Sequence, residues 1–167
     1  MLIYKDIITG DELFSDAFDV KDVGSAYEVE CKMMVVKSHG EVDIGSNPSA
    51  EEVEEQLEDG AITVNNVVHA GRLQVTEFDK KSYIIYIKDY MKAIKAKLQE
   101  TKPESVAEFE KNAATLVKKI VSGIKDYQFY TGESMDPDGM VALLNYREDG
   151  VTPYFTFFKD GLVVEKV

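Results

Sequence analysis

Cysteine is almost absent from this sequence, and its scarcity excludes two ways of stabilising a fold. Cys31 is the only cysteine in 167 residues, so no disulfide can form within the chain. A structural zinc site needs about four ligands, and the isolated His39 and His69 show no metal-binding spacing. Cys31 lies in an alternating run typical of a strand, where we expect a small buried side chain rather than a catalytic thiol.

Positive charge is also scarce. The chain has 19 Lys and Arg against 31 Asp and Glu, a formal net charge of -12, which argues against a protein that coats nucleic acid. No apolar run approaches the roughly 18 residues that span a bilayer, and residues 1–6 lack the apolar core of a signal peptide. We therefore expect an intracellular protein with no direct nucleic-acid partner and no membrane insertion.

Sequence motifs for catalysis are missing as well. There is no glycine-rich phosphate loop, no G-x-S-x-G turn and no paired motif for a nucleophile and its base. Asp136, Asp138 and Gly139 resemble the opening of a calcium loop, but Arg147 stands where its bidentate Glu belongs. We therefore predict that the protein is not an enzyme and has no cofactor, apart from weak attraction of Ca²⁺ to its many carboxylates.

The charges that are present are unevenly distributed. Residues 41–60 contain eight acidic side chains and no Lys or Arg, whereas residues 79–125 contain eleven lysines and six acidic residues, a local net charge of +5. A basic segment in an acidic protein is a candidate docking surface for an acidic partner. The alternative is an ordinary pair of helices with solvated lysines, and composition alone leaves both interpretations open.

Hydrophobic spacing predicts an antiparallel helical hairpin over about 79–125. Apolar residues three and four apart form one stripe on each predicted helix. The first stripe is Ile84, Ile87, Met91, Ile94 and Leu98, and the second is Phe109, Ala113, Leu116, Ile120 and Ile124. Asp79 or Ser82 could cap the first helix, and Pro103 suits the first turn of the second. Helices of about twenty residues would extend roughly 30 Å, so the hairpin is expected to project.

Strand-like segments flank this hairpin on both sides, which favours an α+β fold in a single domain, 1–167. Residues 2–44 are predicted to form short strands and turns, and residues 62–76 a strand with Gly71 as a possible bulge. The pairs Asp149-Gly150 and Asp160-Gly161 predict hairpin turns between the last strands. Residues 41–61 predict a flexible acidic loop, because like charges repel and too few apolar residues are present to stabilise a helix.

Motifs spread over the whole chain resemble one family. Residues 44–51, IGSNPSAE, resemble the first signature of the translationally controlled tumour protein family. Further agreeing segments lie at residues 1–6, 11–16, 86–92, 129–140, 145–154 and 158–162. Residues 78–82 and the short acidic loop are most similar to fungal members.

The resemblance implies a twisted β-tent like that of zinc-bearing small-GTPase chaperones, here without zinc cysteines, with a projecting helical hairpin. It implies a cytoplasmic, cytoskeleton-associated protein, which in fungal members is also linked to mitochondria under stress. The implied partners are tubulin and microtubules, the ribosome and elongation factors, and a Rheb-like small GTPase. Weak calcium binding is implied too.

The resemblance also assigns four residues to a GTPase-facing surface. They are Glu12 in the D-E-L segment, Lys32 in the strand ending in K-M, Asn47 in the loop signature, and Glu133 in the G-E motif. From the residues alone, each has a plain alternative as a turn former or a solvated surface charge. Pro48 replaces the Ala of some animal members and would stiffen the loop after Asn47.

Two function hypotheses follow from these observations. The first is a non-enzymatic protein with several partners, acting in protein synthesis and microtubule stabilisation. Its docking candidates on the hairpin are Lys88, Lys92, Lys95 and Lys97. The alternative is a guanine-nucleotide exchange factor or chaperone for a Rheb-like small GTPase, in which Glu12 and Glu133 would disturb the magnesium ion beside the nucleotide.

Overall fold

The computed structural model describes residues 1–36 and 62–167, which contain eleven strands and three α-helices. The strands are β1 (Leu2–Asp6), β2 (Glu12–Ser15), β3 (Asp19–Asp22), β4 (Ala26–Glu30), β5 (Met33–Val36), β6 (Ile62–Asn65), β7 (Gln74–Thr76), β8 (Gln128–Thr131), β9 (Ala142–Tyr146), β10 (Pro153–Phe158) and β11 (Leu162–Lys166). The α-helices are α1 (Asn66–Gly71), α2 (Lys80–Thr101) and α3 (Val106–Ser122), and 3₁₀ turns cover Pro103–Ser105, Ile124–Asp126 and Lys159–Gly161.

The sheets are antiparallel, and together with the helices they confirm the predicted α+β class. One sheet has six strands in the order β3-β4-β10-β9-β8-β7, a second has the order β11-β1-β2, and β5 pairs with β6. Strands β7 and β8 are neighbours in the large sheet, although α2 and α3 lie between them in sequence. The helical hairpin is therefore an insertion whose two ends are fixed at one edge of this sheet.

The hairpin agrees closely with its prediction. Asp79 caps α2 by accepting a hydrogen bond from the Ser82 amide, and the Ser82 hydroxyl accepts one from the Asp79 amide. Pro103 begins the 3₁₀ turn that leads into α3. The buried side of α3 consists of the predicted residues Phe109, Ala113, Leu116 and Ile120.

The buried side of α2 differs in part from the predicted stripe. Ile87, Ile94 and Leu98 are buried as expected, but Ile84 and Met91 are only half-buried. Two tyrosines that the stripe omitted, Tyr83 and Tyr90, are instead buried. The centre of the Tyr83 ring lies 5.5 Å from that of Phe129, and Tyr90 lies 5.8 Å from Phe158. These contacts pack the helix against the large sheet.

Residues 62–76 do not form the single strand that the sequence predicts, because α1 interrupts it. The Asn65 side chain caps α1 by accepting hydrogen bonds from the amides of Val67 and Val68. Gly71 is not a bulge: it ends this helix where a Cβ would collide with the carbonyl oxygen of Leu13. His69 accordingly lies exposed on a helix rather than on a strand.

Only one of the two Asp-Gly pairs makes the predicted hairpin. Asp149-Gly150 joins the paired strands β9 and β10, and Gly150 has a positive φ of 72°. Asp160-Gly161 instead lies in a 3₁₀ turn, and the strand after it pairs with β1. The Gly161 carbonyl accepts a hydrogen bond from the Ile7 amide, which directs the chain into the other sheet.

Cys31 confirms the prediction of a small buried side chain. Its thiol is 3% exposed just after β4. Burial raises the pKa of Cys31 to about 11, so the thiol is protonated at neutral pH and is a poor nucleophile.

Candidate functional site

The short helix α1 links three of the four residues assigned to the GTPase-facing surface. The fourth, Asn47, lies outside the described residues, as does the predicted acidic loop 41–61. Lys32 lies at the beginning of α1: its amide donates to Asn66 Oδ1 at 2.8 Å, and the Asn66 amide donates to its carbonyl at 2.9 Å. A helix of six residues is about 9 Å long, so it sets a short, fixed separation between its two ends.

Glu12 and Glu133 lie at the other end of α1. Glu12 lines a small cleft together with Ala70 and Gly71 at the end of this helix. The next residue, Arg72, donates a hydrogen bond from its guanidinium to Glu133 Oε1 at 3.0 Å. The structure therefore brings Glu12 and Glu133 to the same end of α1, where Arg72 pairs with Glu133.

A second contact fixes the turn that carries Glu133 beside β2. The Ser134 hydroxyl donates to Asp11 Oδ2 at 2.6 Å, and the Ser134 amide donates to the same oxygen at 3.3 Å. Any Cβ on Gly132 would collide with the Asp11 side chain, so this close approach requires glycine. Because Asp11 directly precedes Glu12, these contacts tie the turn that carries Glu133 to the beginning of β2.

Arg72 is the residue of this surface that sequence reasoning missed. It ends α1 in the left-handed conformation, with φ of 52°, and its side chain is 72% exposed. An exposed ion pair of this kind contributes at most about 1 kcal/mol, so Arg72 orients Glu133 more than it stabilises the fold. The sequence did contain one signal for the start of α1: Asn65 and Asn66 precede two valines, and Asn is a favoured residue for capping the beginning of a helix.

The hairpin lysines do not all lie on one face. Lys88, Lys92 and Lys95 are spaced four and three residues apart, which places them on one side of α2. Lys97 is two residues beyond Lys95 and points away from that side. Lys118 of α3 joins the first three, since it lines the same groove between the helices.

This hairpin groove is defined by an apolar floor and a charged rim. The floor is formed by Ile87, Met91, Phe109, Ala113, Val117 and Val121, with the exposed Ala114. The rim carries Lys88, Lys92, Lys95, Lys118 and Glu110. The groove is open to solvent and has a volume of about 620 Å³.

One rim lysine is neutralised within the hairpin. Lys95 Nζ lies 2.6 Å from Glu110 Oε1, and both side chains are about half exposed. Among residues 1–36 and 62–167, no ion pair involves Lys88, Lys92 or Lys118. Within the described ranges, these three lysines therefore supply the unpaired positive charge of the rim.

Neither surface contains a cluster of metal ligands. Within the described part of the chain, no three His, Cys, Asp or Glu side chains are grouped to hold a metal ion. Asp136 and Asp138, which resemble a calcium loop, form a turn in which the Asp138 amide donates to Asp136 Oδ1 at 2.9 Å. None of the described helices is long and apolar enough to cross a membrane.

The fold and the two surfaces define an α+β protein in which a basic hairpin is inserted into an antiparallel sheet. The family model described as Translationally controlled tumour protein matches residues 1–163. The chain belongs to this family.

Relatives in other fungi match along their whole length. A homolog from Schizosaccharomyces pombe is 65% identical over 167 residues, covering 99% of each chain. A Candida albicans homolog is 61% identical and covers 100% of both chains. Neither these names nor the family's description states an enzymatic activity.

Solved structures agree with the fold. The S. pombe protein p23fyp superposes with a TM-score of 0.84 at 64% identity, covering 100% of both chains. The Caenorhabditis elegans protein superposes with a TM-score of 0.72 at 31% identity, covering 100% of this chain and 99% of that one.

Proposed function

We propose that the protein is a non-enzymatic binding protein that stabilises microtubules and takes part in protein synthesis by associating with the ribosome and elongation factors. The main observation that supports this proposal is the row of Lys88, Lys92 and Lys95 on one side of α2. Lys118 of α3 lines the same groove. Tubulin and ribosome-bound factors present acidic surfaces, which such a row attracts. The proposed location is the cytoplasm and cytoskeleton, with the mitochondrial surface under stress.

Microtubule co-sedimentation tests this proposal. Reversing the charge of Lys88, Lys92, Lys95 and Lys97 to Glu should abolish co-sedimentation at low salt, because attraction becomes repulsion. Replacing the same four lysines by Arg keeps the charge and should preserve binding. Unchanged sedimentation of the Glu variant would refute a docking role for the hairpin.

The second candidate function is nucleotide exchange on, or chaperoning of, a Rheb-like small GTPase. Two observations favour it: Glu12 lines a cleft with Gly71 at the end of α1, and Arg72, the next residue, pairs with Glu133. Two exposed carboxylates at that end of the helix could compete with nucleotide phosphates for magnesium.

Stopped-flow release of a fluorescent nucleotide from the GTPase tests this candidate. The wild type should accelerate release, and Glu12→Ala should lose most of the acceleration. Glu148→Ala, which removes an exposed carboxylate elsewhere, is the matched control and should behave as the wild type. If the wild type releases nucleotide no faster than buffer, exchange activity is ruled out.

We further propose that calcium binding is weak and diffuse. The support is the high density of carboxylates, 31 Asp and Glu in the chain. Calorimetry in physiological salt should show no saturable site of high affinity, whereas a stoichiometric transition would show that a dedicated site exists.

A further inference from the structure

The hairpin groove combines two properties that an ordinary solvated helix pair does not need. Its floor presents apolar side chains, of which Met91, Val117 and Val121 are only half-buried. Lysines stand on both walls, since Lys88 and Lys92 belong to α2 whereas Lys118 belongs to α3. A water-filled apolar cleft between cationic walls favours an occupant that is apolar along one side and acidic along its edges.

The dimensions of the groove fit a helix. It extends along α3 from Phe109 to Val121, which is about 18 Å at 1.5 Å per residue. That length corresponds to about three turns of a docked helix, which would present apolar side chains three and four residues apart. The volume of about 620 Å³ accommodates several such side chains.

We propose that the hairpin groove is a docking site for an acidic amphipathic helix of a partner protein. Apolar side chains of that helix occupy the floor, and its Asp and Glu residues pair with Lys88, Lys92 and Lys118. The inference rests on the proposed function, because it uses the same lysines, but it adds that recognition needs the apolar floor. Purely electrostatic docking would not depend on the floor.

Charge complementarity selects this occupant over nucleic acid. Nucleic acid would meet the same lysines, but the hairpin's local charge of +5 is set against -17 on the rest of the chain, which repels an extended polyanion. A short acidic helix contacts only the groove and avoids the rest of the surface.

Fluorescence anisotropy with a designed peptide tests the inference. The probe is a labelled, end-capped peptide of about twelve residues, with leucines three and four apart and glutamates on both flanks. It should bind the full-length protein saturably, and more weakly as salt increases. A scrambled peptide of the same composition should bind at least about tenfold more weakly, because its leucines no longer share one side.

Floor variants separate the groove from the hairpin's general charge. Ala114→Gln adds polar bulk to the groove at an exposed position of α3 and should weaken peptide binding at least about tenfold. Ala107→Gln makes the same change at an exposed α3 position that does not line the groove, and should bind as the wild type. Thermal unfolding by circular dichroism checks that both variants are folded.

Rim variants test the charge requirement in the same way. Lys88→Glu with Lys92→Glu should weaken peptide binding at least about tenfold and flatten its salt dependence. Lys81→Glu with Lys111→Glu changes the net charge equally at exposed positions outside the groove and should have little effect.

The outcomes distinguish this inference from the proposed function. No peptide binding at concentrations up to about 1 mM, or equal binding by Ala114→Gln, overturns the groove proposal whatever the microtubule assay shows. If the wild type binds the peptide but does not co-sediment with microtubules, the proposed function alone is refuted. A last experiment uses vesicles of phosphatidylcholine and phosphatidylserine. If the protein binds these vesicles but not the peptide, and Ala114→Gln weakens vesicle binding, the groove is a lipid-binding surface instead.

Discussion

At the scale of single residues, three tyrosines of α2 have different hydrogen-bond environments. The Tyr86 hydroxyl donates to the Gly139 carbonyl at 2.7 Å and accepts from the Val141 amide at 3.0 Å. The buried hydroxyls of Tyr83 and Tyr90 have no hydrogen-bond partner among the described residues. Burial raises the pKa of all three phenols, so they remain neutral through the physiological range.

This difference predicts opposite results for the same substitution. Tyr86→Phe should lower the free energy of unfolding by about 1–3 kcal/mol, because it leaves two backbone groups without their partner. Tyr83→Phe and Tyr90→Phe should cost nothing or stabilise the protein slightly, because they remove an unpartnered buried hydroxyl. Urea denaturation followed by circular dichroism measures all three. A large loss for Tyr90→Phe would show that its hydroxyl has a partner after all.

Residues of the candidate surfaces were only partly predictable from sequence. The motif resemblance assigns Glu12 and Glu133 to one surface, and in the structure the residues next to them in sequence, Asp11 and Ser134, are joined by a hydrogen bond. Arg72 could not be predicted, because its pairing with Glu133 joins residues 61 positions apart. Their role toward a GTPase remains a prediction that the stopped-flow experiment decides.

At the scale of elements, the turn between β9 and β10 is held by one carboxylate. Asp149 accepts hydrogen bonds from the Thr152 hydroxyl at 2.6 Å and from the amides of Val151 and Thr152 at 2.8 Å. These bonds, the Thr152 hydroxyl first, lower the pKa of Asp149 from 3.8 to about 2. The ionised form is therefore the one that stabilises the folded turn.

The sign of this shift fixes a pH dependence. Because the folded pKa lies below the unfolded one, the stabilisation is present above about pH 4 and is lost as the pH falls toward 2. Asp149→Asn keeps the shape but removes the charge, so its stability deficit in urea should be largest near neutral pH and shrink between pH 4 and 2. The neighbouring Glu148→Gln is the control. A deficit that is independent of pH would contradict the assigned cause.

The elements also show what sequence periodicity can and cannot reveal. The 22 residues of α2 contain enough turns for the apolar period to be read, and both hairpin helices were predicted. Helix α1 has only six residues, which is too short for an apolar helical period to be recognised, so the sequence predicts a strand there. Pairing of β11 with β1 joins opposite ends of the chain, which local turn signals cannot predict.

At the scale of the whole molecule, the protein carries opposite charges in separate regions. The hairpin segment has a local net charge of +5 in a chain of net charge -12. At physiological salt, charges interact over about 8 Å, so a partner at the hairpin senses mainly the lysines and little of the acidic remainder. Under the proposed function, this separation of charge is what would allow an acidic protein to dock on acidic partners through its hairpin.

Microtubule co-sedimentation across a salt series, from about 50 to 200 mM, tests this account most directly. Two variants with the same change in net charge are compared with the wild type: Lys88→Glu with Lys92→Glu on the rim, and Lys81→Glu with Lys111→Glu outside it. The account predicts that wild-type binding weakens as salt rises, that the rim pair loses most binding at every salt concentration, and that the outside pair stays close to the wild type. Equal losses for both pairs, or wild-type binding that does not change with salt, would contradict it.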